Sequence, residues 1–263
     1  SNLDLNNING ISATAGPGLI VCLTVGLNAG KAIAGSLEKP FVAVNHLEGH
    51  ALSPKINSNI KFPYLLLLIS GGHTQFLEVI GVNNYKRLGT TIDDALGEAF
   101  DKTAKLLGIE FPGGPKIEEW AKKGDENYFK LPKPILKKGG CNLSFAGLKT
   151  AVLRTSKELK NQKEKYHLAA SFQKTINEIL YEKTKVAMEE FLKNKKNIQK
   201  TFVIAGGVAA NLRIRENLTK LAKEKNFTPI FPPKNLCSDN AAMIAWAGIE
   251  RYKINLVDNL DFP

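Results

Sequence analysis

Residues 64–74 read YLLLLISGGHT, and this stretch decides the fold class of the 263-residue chain. The unbroken apolar run predicts a fully buried strand over residues 64–69. The adjacent glycines that follow predict a tight turn, and residues 75–80 then have the composition of a second strand. A hairpin that leads into helices indicates an α/β protein with mixed sheets and argues against a plain doubly wound Rossmann sheet.

The segments on either side of this hairpin extend the α/β pattern. Short apolar runs predict strands over residues 8–13, 41–45, 201–205 and 227–231. Apolar residues at helical spacing predict helices over residues 18–36, 93–107, 116–123 and 166–193, and from about residue 210. A last helix is predicted over residues 238–251, with Ser238 as its N-cap.

The composition predicts a soluble cytoplasmic protein. Hydrophobic residues make up 43% of the chain, yet no apolar run approaches the roughly 20 residues that cross a bilayer. The N-terminus lacks the basic and apolar segments of a secretory signal. The three cysteines are far apart and form no C-x-x-C motif, which favours a reducing compartment.

The chain is basic, with a formal net charge of +11. Such a charge favours polyanionic partners, through counterion release and electrostatic steering. It equally fits a lysine-rich chain whose side chains only solvate helix surfaces. Composition alone leaves these two interpretations level.

Two of the four histidines, His46 and His50, lie four residues apart. On a helix this spacing places both rings on one face, where they can bind a single metal ion. The plain alternative is a solvated helical turn that carries two histidines. A zinc protease of the H-E-x-x-H type needs a glutamate directly after the first histidine, where this chain has Leu47, with Glu48 one position later. The spacing therefore disfavours protease chemistry.

Glycine pairs occur in three predicted turns, at residues 71–72, 113–114 and 206–207. At the first, converging backbone N–H groups and the hydroxyls of Ser70 and Thr74 could bind a phosphate, although an ordinary hairpin turn is the commoner case. The turn at 113–114 follows a predicted helix and has the composition of a plain loop. No P-loop or G-x-G-x-x-G motif is present. Together the turns indicate a nucleotide site of another type.

Acidic residues lie close to these turns. A carboxylate beside a nucleotide can accept from ribose hydroxyls or bind a metal, whereas a solvated helix face paired with lysines is commoner. Asp239, at the predicted start of the last helix, could complement the helix dipole or serve as a third ligand beside the histidines. The others are placed on one short predicted helix: Asp93, Asp94, Glu98 and Asp101.

Taken together, these segments resemble the universal tRNA threonylcarbamoyladenosine transferases of the bacterial TsaD type. The resemblance covers nearly the whole chain, in the family's order. It rests on TAGPGL at 14–19, NHLEGH at 45–50, SGGHTQ at 70–75, DD at 93–94 with GEAFDK at 97–102, PGGP at 112–115, SFAGLK at 144–149, AGGVAAN at 205–211 and CSDN at 237–240.

The resemblance implies the two-lobed actin-like ATPase fold of actin, sugar kinases and heat-shock chaperones. It divides the chain into a partial first lobe (1–60), a second lobe with a helical insertion and the glycine turns (61–250), and a C-terminal tail (251–263). It also implies one divalent metal ion, iron(II) first and zinc second, bound between the lobes by His46, His50 and Asp239.

The resemblance further implies an adenylate site. Residues 68–72, namely Leu68, Ile69, Ser70, Gly71 and Gly72, would hold the phosphate and acyl part. Contacts with the ribose and the rest of the nucleotide are implied for Asp101, Gly114, Glu118 and Asn211.

The implied reaction moves a threonylcarbamoyl group from threonylcarbamoyl-adenylate to the N6 amine of the adenosine beside the anticodon in ANN-decoding tRNAs, and releases AMP. No residue is identified as the catalytic base. The implied partners are tRNA, a paralogous actin-like subunit and a small ATPase, with no membrane.

Members of the family carry a further N-terminal segment, and this chain begins after it. We therefore expect impaired activity, with an inactive fragment or a non-catalytic subunit as an alternative. A metal-dependent glycoprotease and a small-molecule kinase on the same fold are two rival functions. The histidine pair is unexplained by the kinase, and the position of Glu48 disfavours the protease.

Overall fold

The computed structural model describes residues 4–136 and 138–261, in which two β-sheets carry helices on their faces. The strands are β1 (Ile11–Gly16), β2 (Phe41–Asn45), β3 (Tyr64–Ile69), β4 (Thr74–Gly81), β5 (Asn84–Thr90), β6 (Thr201–Ala205) and β7 (Thr228–Ile230). The α-helices are α1 (Ile20–Ser36), α2 (His46–Leu52), α3 (Leu96–Leu107), α4 (Gly113–Ala121), α5 (Ala146–Ser156), α6 (Gln162–Leu192), α7 (Leu212–Glu224) and α8 (Ala241–Tyr252).

The larger sheet has the strand order β5-β4-β3-β6-β7, with β3 antiparallel to β4 and parallel to β6. Every residue of β3 is buried, because the strand is central and both faces are covered. Its side chains alternate between two core clusters: Leu65, Leu67 and Ile69 enter one, and Leu66 and Leu68 enter the other. The predicted α/β class with mixed sheets is confirmed, and so is the predicted hairpin of β3 and β4.

The smaller sheet pairs β1 and β2 in parallel, with α1 as the crossover helix. Helix α8, from the far end of the chain, packs on this sheet so closely that a Cβ at Gly248 would overlap Ser12. Residues 256–261 follow it, where Asp258 pairs with Phe41 and accepts from the N–H of Ala43. The chain therefore returns to its first sheet at its end.

The predicted division at residues 60 and 250 places α8 with the second lobe, whereas α8 packs on the first sheet. The division itself stays a prediction. Residues 262–263 of the predicted tail lie outside the described residues. Within the described ranges, no helix is both long and apolar enough to span a membrane.

Most predicted elements are confirmed, and β2, β3 and β6 have the predicted bounds. Three of the strands and helices given above were not predicted. Helix α2 entered only as the condition under which His46 and His50 share a face. Strand β5 (NYKRLGT) is an edge strand with mostly polar, partly exposed residues, so it lacks the apolar alternation of a half-buried strand. Helix α5 begins inside the SFAG segment, at Ala146, where the sequence carries a weak helical signal.

Four predicted helix starts are wrong by three residues or more. Helix α6 starts at Gln162, whereas a start at residue 166 was predicted. Helix α3 starts at Leu96, so Asp93 and Asp94 precede it. Helix α4 starts at Gly113, so the second glycine pair begins a helix and is not a plain loop. Helix α8 starts at Ala241 with Asn240 as the N-cap, whose side chain accepts from the N–H of Met243, so neither Ser238 nor Asp239 lies on the helix.

Candidate metal centre and nucleotide cleft

The two paired histidines lie on α2, which starts directly at the carboxyl end of β2. Asn45 ends the strand and caps the helix, because its side chain accepts from the N–H of Leu47 at 2.9 Å. His46 is therefore the first helical residue and His50 lies one turn later on the same face. The ring centroids are 4.9 Å apart and nearly perpendicular.

Asp239 comes to these rings from the loop before α8. Its Oδ1 lies 3.4 Å from Nε2 of His46 and 3.1 Å from Nε2 of His50. One ligand atom from each of the three residues can be chosen so that all lie within 4.8 Å of one another. The side chain of His50 is 1% exposed and that of Asp239 is 74% exposed, so the cluster has a closed wall and an open side.

The surroundings of His50 favour its neutral imidazole. Burial, and then the neighbouring His46, lower the pKa of His50 below its ordinary value, although Asp239 acts in the opposite direction. Burial, and then His46, also lower the pKa of His73, which lines a cleft together with His46 and Asp239. A neutral imidazole offers the lone pair that a metal needs.

The donor set fits a divalent transition metal. Two imidazole nitrogens and one carboxylate, with one side open, match zinc sites that keep a position for substrate. They also match the facial arrangement of non-haem iron(II). Nε2 of His50 lies 3.1 Å from Oδ1 of Asp239 and is therefore the ring atom that could serve as a ligand in this cluster. Nδ1 of the same ring is buried without a hydrogen-bond partner in the described part of the chain.

Glu48, between the two histidines, turns away from the cluster and into the protein. Its Oε1 accepts from the N–H of Asn83 and from the hydroxyl of Tyr85, each at 2.8 Å. Its Oε2 pairs with Arg251 on α8 at 2.9 Å. The carboxylate thus ties α2 to β5 and α8, and it is not placed as a general base beside a metal.

The turn between β3 and β4 is closed on itself. The N–H of Ser70 donates to the carbonyl of His73, and the N–H of His73 donates to the hydroxyl of Ser70. Gly71 and Gly72 at the tip are exposed, and no atom lies within 4 Å of the position that a Cβ would take at either residue. The expectation that Thr74 offers a donor is wrong, because its hydroxyl is buried and accepts from the N–H of Leu96.

Two further glycines let neighbouring segments approach this turn. A Cβ at Gly97, near the start of α3, would lie 2.7 Å from Cα of Gly71. Gly206, after β6, has φ +96° and would place a Cβ 2.4 Å from the carbonyl oxygen of Ile69. Gly97 and Gly206 therefore both pack beside the first turn.

Replacing Gly206 with alanine should destabilise the protein by at least about 1–3 kcal/mol, because the alanine would combine an unfavourable positive φ with overlap on Ile69. Gly207→Ala is the matched control, since no atom lies within 4 Å of its Cβ position and its φ is ordinary. Urea unfolding of both variants measures the difference. Equal midpoints for the two variants would contradict the packing argument.

A cleft of about 680 Å³ extends from this turn between α3, α4 and the segment after β6. A second cleft, of about 870 Å³, contains His46 and His73 and runs along the start of α1. Both are lined by Ser70, Gly71 and Asp239, so they meet at the glycine turn. The candidate metal ligands and the predicted phosphate turn therefore adjoin.

The predicted substrate-binding residues fall into three groups. Ser70, Gly71, Asp101, Gly114, Glu118 and Asn211 line the 680 Å³ cleft. Gly72 lines the cleft beside the histidines. The side chains of Leu68 and Ile69 are buried in the core, so any ligand contact from them would have to use the backbone.

Several of these side chains already make structural hydrogen bonds. Oδ1 of Asp101 accepts from the N–H of Gly113, at the start of α4. Oε1 of Glu118 accepts from the N–H groups of Leu212 and Arg213, at the start of α7.

The amide of Asn211 is used twice, since its oxygen accepts from the N–H of Ile214 and its Nδ2 donates to Gln173. For Asp101 and Glu118, the second carboxylate oxygen makes none of these bonds. Sequence spacing does not reveal that these side chains already make hydrogen bonds within the protein.

The remaining acidic candidates, Asp93, Asp94 and Glu98, make other contacts. Oδ1 of Asp93 accepts from the N–H groups of Phe145 and Ala146, and its other oxygen accepts from Ser144, so it holds the start of α5. Asp94 and Glu98 both pair with Lys102. The interpretation as a solvated, lysine-paired helix face thus fits Glu98, which lies on α3 with its side chain 43% exposed. Asp94 is lysine-paired as well, but it precedes α3 and its side chain is only 16% exposed.

Many residues that line the two clefts were not among the predicted site residues, and the side chains of His73 and Phe111 are the most notable of them. His73 belongs to the predicted turn, and its position beside two glycines was a usable signal. Phe111 precedes the second glycine pair and lines the 680 Å³ cleft while 84% exposed. A lone aromatic in a loop carries no sequence pattern that marks it.

The fold is shared with solved structures of low sequence identity. Full-length HypF in a phosphate- and nucleotide-bound form matches with a TM-score of 0.62 at 14% identity, over 89% of this chain and 38% of its own. HypF of T. kodakarensis matches with a TM-score of 0.66 at 15% identity, over 95% and 42%. This chain therefore spans about two fifths of the HypF chains. The class is an α/β protein of the actin-like ATPase type.

Sequence comparison gives the family. The family model described as TsaD, tRNA N6-adenosine threonylcarbamoyltransferase, matches residues 1–246. The protein of that name from Pelagibacter ubique is 69% identical over 263 residues, which cover 100% of this chain and 74% of the relative. The one from Rickettsia massiliae is 52% identical over 265 residues, covering 100% and 77%. The chain belongs to the TsaD family.

Proposed function

We propose that this chain is a tRNA N6-adenosine threonylcarbamoyltransferase. It takes the threonylcarbamoyl group from threonylcarbamoyl-adenylate and places it on the N6 amine of the adenosine beside the anticodon in ANN-decoding tRNAs. The observation that carries the proposal is the meeting of the two clefts at Ser70, Gly71 and Asp239, in a chain of this family. A donor that spans both clefts would have its phosphate at the turn and its acyl group beside the histidines.

In the proposed donor complex, His46, His50 and Asp239 bind one divalent metal, iron(II) first and zinc second. The metal, when bound, supplies Lewis acidity toward the carbamoyl oxygen. The exposed backbone of Gly71 and Gly72 faces the donor phosphate, where amide N–H groups favour negative charge. Asp101, Gly114, Glu118 and Asn211 contact the nucleoside, and Leu68 and Ile69 contribute through their backbone.

The transfer forms one C–N bond and breaks one C–O bond. The N6 amine attacks the carbamoyl carbon, the bond to the phosphate oxygen breaks, and AMP leaves with the negative charge. The amine loses one proton in this step, which passes to the leaving phosphate or to water. The turn is suited to this step because the N–H groups of Gly71 and Gly72 would lie where the leaving phosphate gains charge. The chain orients donor and acceptor, which converts a bimolecular encounter into a reaction of held groups.

The proposed partners and location follow from the same reaction. A net charge of +11 supports binding of a tRNA anticodon stem–loop. We assign a paralogous actin-like subunit and a small ATPase as protein partners, and lobes at residues 1–60 and 61–250 followed by a tail. The unpaired state of Cys22, Cys141 and Cys237, together with a tRNA substrate, supports the cytoplasm.

The test is transfer of labelled threonine to unmodified tRNA, with the adenylate-forming enzyme, both partners, and iron(II) or zinc. We expect the wild-type chain to incorporate threonine into tRNA. His46→Ala and Asp239→Ala should each lower this incorporation by at least about 100-fold, because each removes a proposed metal ligand. His167→Asn is the control: His167 lies outside the clefts and accepts from the N–H of Asp125, which Asn can also do. Incorporation unchanged in both ligand variants would refute the proposed site.

The rival functions are less well supported. The named relatives are transferases, and Glu48 is engaged with Arg251, so a glycoprotease has neither precedent nor a base here. Chelator-sensitive cleavage of a glycoprotein would reverse that judgement. The chain covers 74% and 77% of the two named relatives, so transfer should also be measured with the chain extended to their full length. Incorporation by the extended protein alone would favour the alternative of an inactive fragment.

A further inference from the structure

Phe111 is an aromatic side chain without a partner at the wall of the nucleotide cleft. It is 84% exposed, the highest value among the large hydrophobic side chains in the described part of the chain. No aromatic or cation–π contact involves its ring there. Single exposed apolar residues are ordinary on convex surfaces. This one lines two neighbouring concavities, of about 680 and 490 Å³.

Tightly packed elements hold the backbone of Phe111 in place. Pro112, which follows it, is the N-cap of α4, and Gly113 donates its N–H to Asp101 at 2.9 Å. Gly113 packs against α3 so closely that a Cβ there would lie 2.3 Å from Cβ of Ala104. The ring is therefore presented by a fixed helix start and not by a free loop.

The cleft is lined by both polar and apolar side chains. Ser70 and Asp239 also line the cleft beside the histidines, whereas Phe111, Pro112, Pro115, Val208 and Ala210 line the 680 Å³ cleft and not that one. Asp101, Glu118 and Asn211 line the 680 Å³ cleft as well, and only Oδ1 of Asp101 is used by Gly113. A nucleotide offers groups for both kinds of contact, with a charged phosphate, a hydroxyl-bearing ribose and a flat apolar base face.

We propose that Phe111 is a positioning residue that stacks on the adenine of the donor nucleotide. The inference rests on the proposed function, since it takes the phosphate to lie at the glycine turn. An aromatic face accepts any base and adds affinity through stacking. Phe111 thereby fixes the nucleoside end of the donor, and so the position of its acyl end.

A tRNA base is the other candidate partner for this ring, and the arrangement of the clefts disfavours it. The acceptor amine must reach the acyl group beside His46 and Asp239. The cleft that contains His46 contains neither Phe111 nor its apolar neighbours Pro112 and Pro115. A base on Phe111 would thus face the nucleoside end of the donor and not its reacting end.

Calorimetric binding of AMP and of ribose 5-phosphate to the whole chain and to Phe111→Ala tests the proposal. We expect AMP binding to weaken by about 10-fold or more in Phe111→Ala, from the usual strength of base–aromatic stacking. Ribose 5-phosphate, which lacks the base, should bind both proteins equally. Phe111→Tyr should retain the wild-type AMP affinity. Ile92→Ala removes another exposed apolar side chain, 61% exposed and outside both clefts, and should change neither affinity.

A spectroscopic measurement gives an independent readout. In Phe111→Trp, AMP should quench tryptophan fluorescence beyond any change of the two native tryptophans, and ribose 5-phosphate should not. AMP affinity unchanged in Phe111→Ala would overturn the inference and leave the proposed function standing. Weakened binding of an anticodon stem–loop RNA, with AMP binding intact, would overturn it in favour of the RNA. A wild-type chain that binds no AMP would overturn both proposals.

Discussion

Replacing Glu48 with alanine is expected to lower the free energy of unfolding by about 3–5 kcal/mol, the cost of removing one partner of a buried ion pair. The carboxylate is 3% exposed and accepts from the N–H of Asn83, the hydroxyl of Tyr85 and the guanidinium of Arg251. Its loss leaves these donors, one of them charged and only 13% exposed, without their acceptor. Urea unfolding followed by circular dichroism measures the change.

Two comparisons separate the buried pair from an ordinary surface charge. Glu119→Ala removes a carboxylate that pairs with Lys116 and Lys123 at the exposed surface, and it should leave the free energy of unfolding nearly unchanged. The double variant Glu48→Ala/Arg251→Ala should be less destabilised than the sum of the single variants, because they share one interaction. A Glu48→Ala variant as stable as Glu119→Ala would show that the pair contributes nothing.

Replacing His50 with alanine is expected to weaken metal binding by more than roughly 100-fold, since even loss of an outer-shell partner costs about 10–100-fold. His50 is the most enclosed of the proposed ligands, and its Nε2 lies 3.1 Å from Oδ1 of Asp239. No other side chain in the described residues joins this cluster to replace it. Zinc and iron(II) affinities from chelator competition, with metal content after dialysis, measure the loss without any transfer assay.

The matched control for this variant is again a histidine. His167 is 9% exposed, stacks on Tyr128 and lies outside both clefts, so His167→Asn should retain full metal content. Thermal unfolding without metal should be similar for wild type and His50→Ala if the effect is on binding alone. Retention of one metal per chain by His50→Ala would disprove the ligand assignment.

Much of the fold follows from local patterns. The apolar run of β3 and the periodicity of α6 predict elements of the right type because burial imposes a period on the sequence. Strand β5 gives no such signal, because an edge strand buries little. The start of α3 was predicted too early since Asp93 and Asp94 look like helix-start residues, whereas Asp93 holds α5 instead.

The candidate site divides in the same way. The spacing of His46 and His50 is enough to predict one shared face, since both lie on a single helix. The glycine pair at 71–72 predicts an open turn, because few other residues leave the backbone so accessible. Neither pattern could reveal that Glu118 and Asn211 already hold the start of α7.

The sequence by itself thus determined the α/β class, the strands around the glycine turns, the histidine pair and the family resemblance. Only the tertiary structure decided which other segments of the chain these elements contact. Asp239 lies 189 residues from His50 along the chain and 3.1 Å from it in space, because α8 returns to the first sheet. Phe111 lines the cleft because Gly113 packs against Ala104. Local periodicity reports only whether a residue faces a core, whereas a site is built from contacts between segments distant in sequence, which packing alone selects.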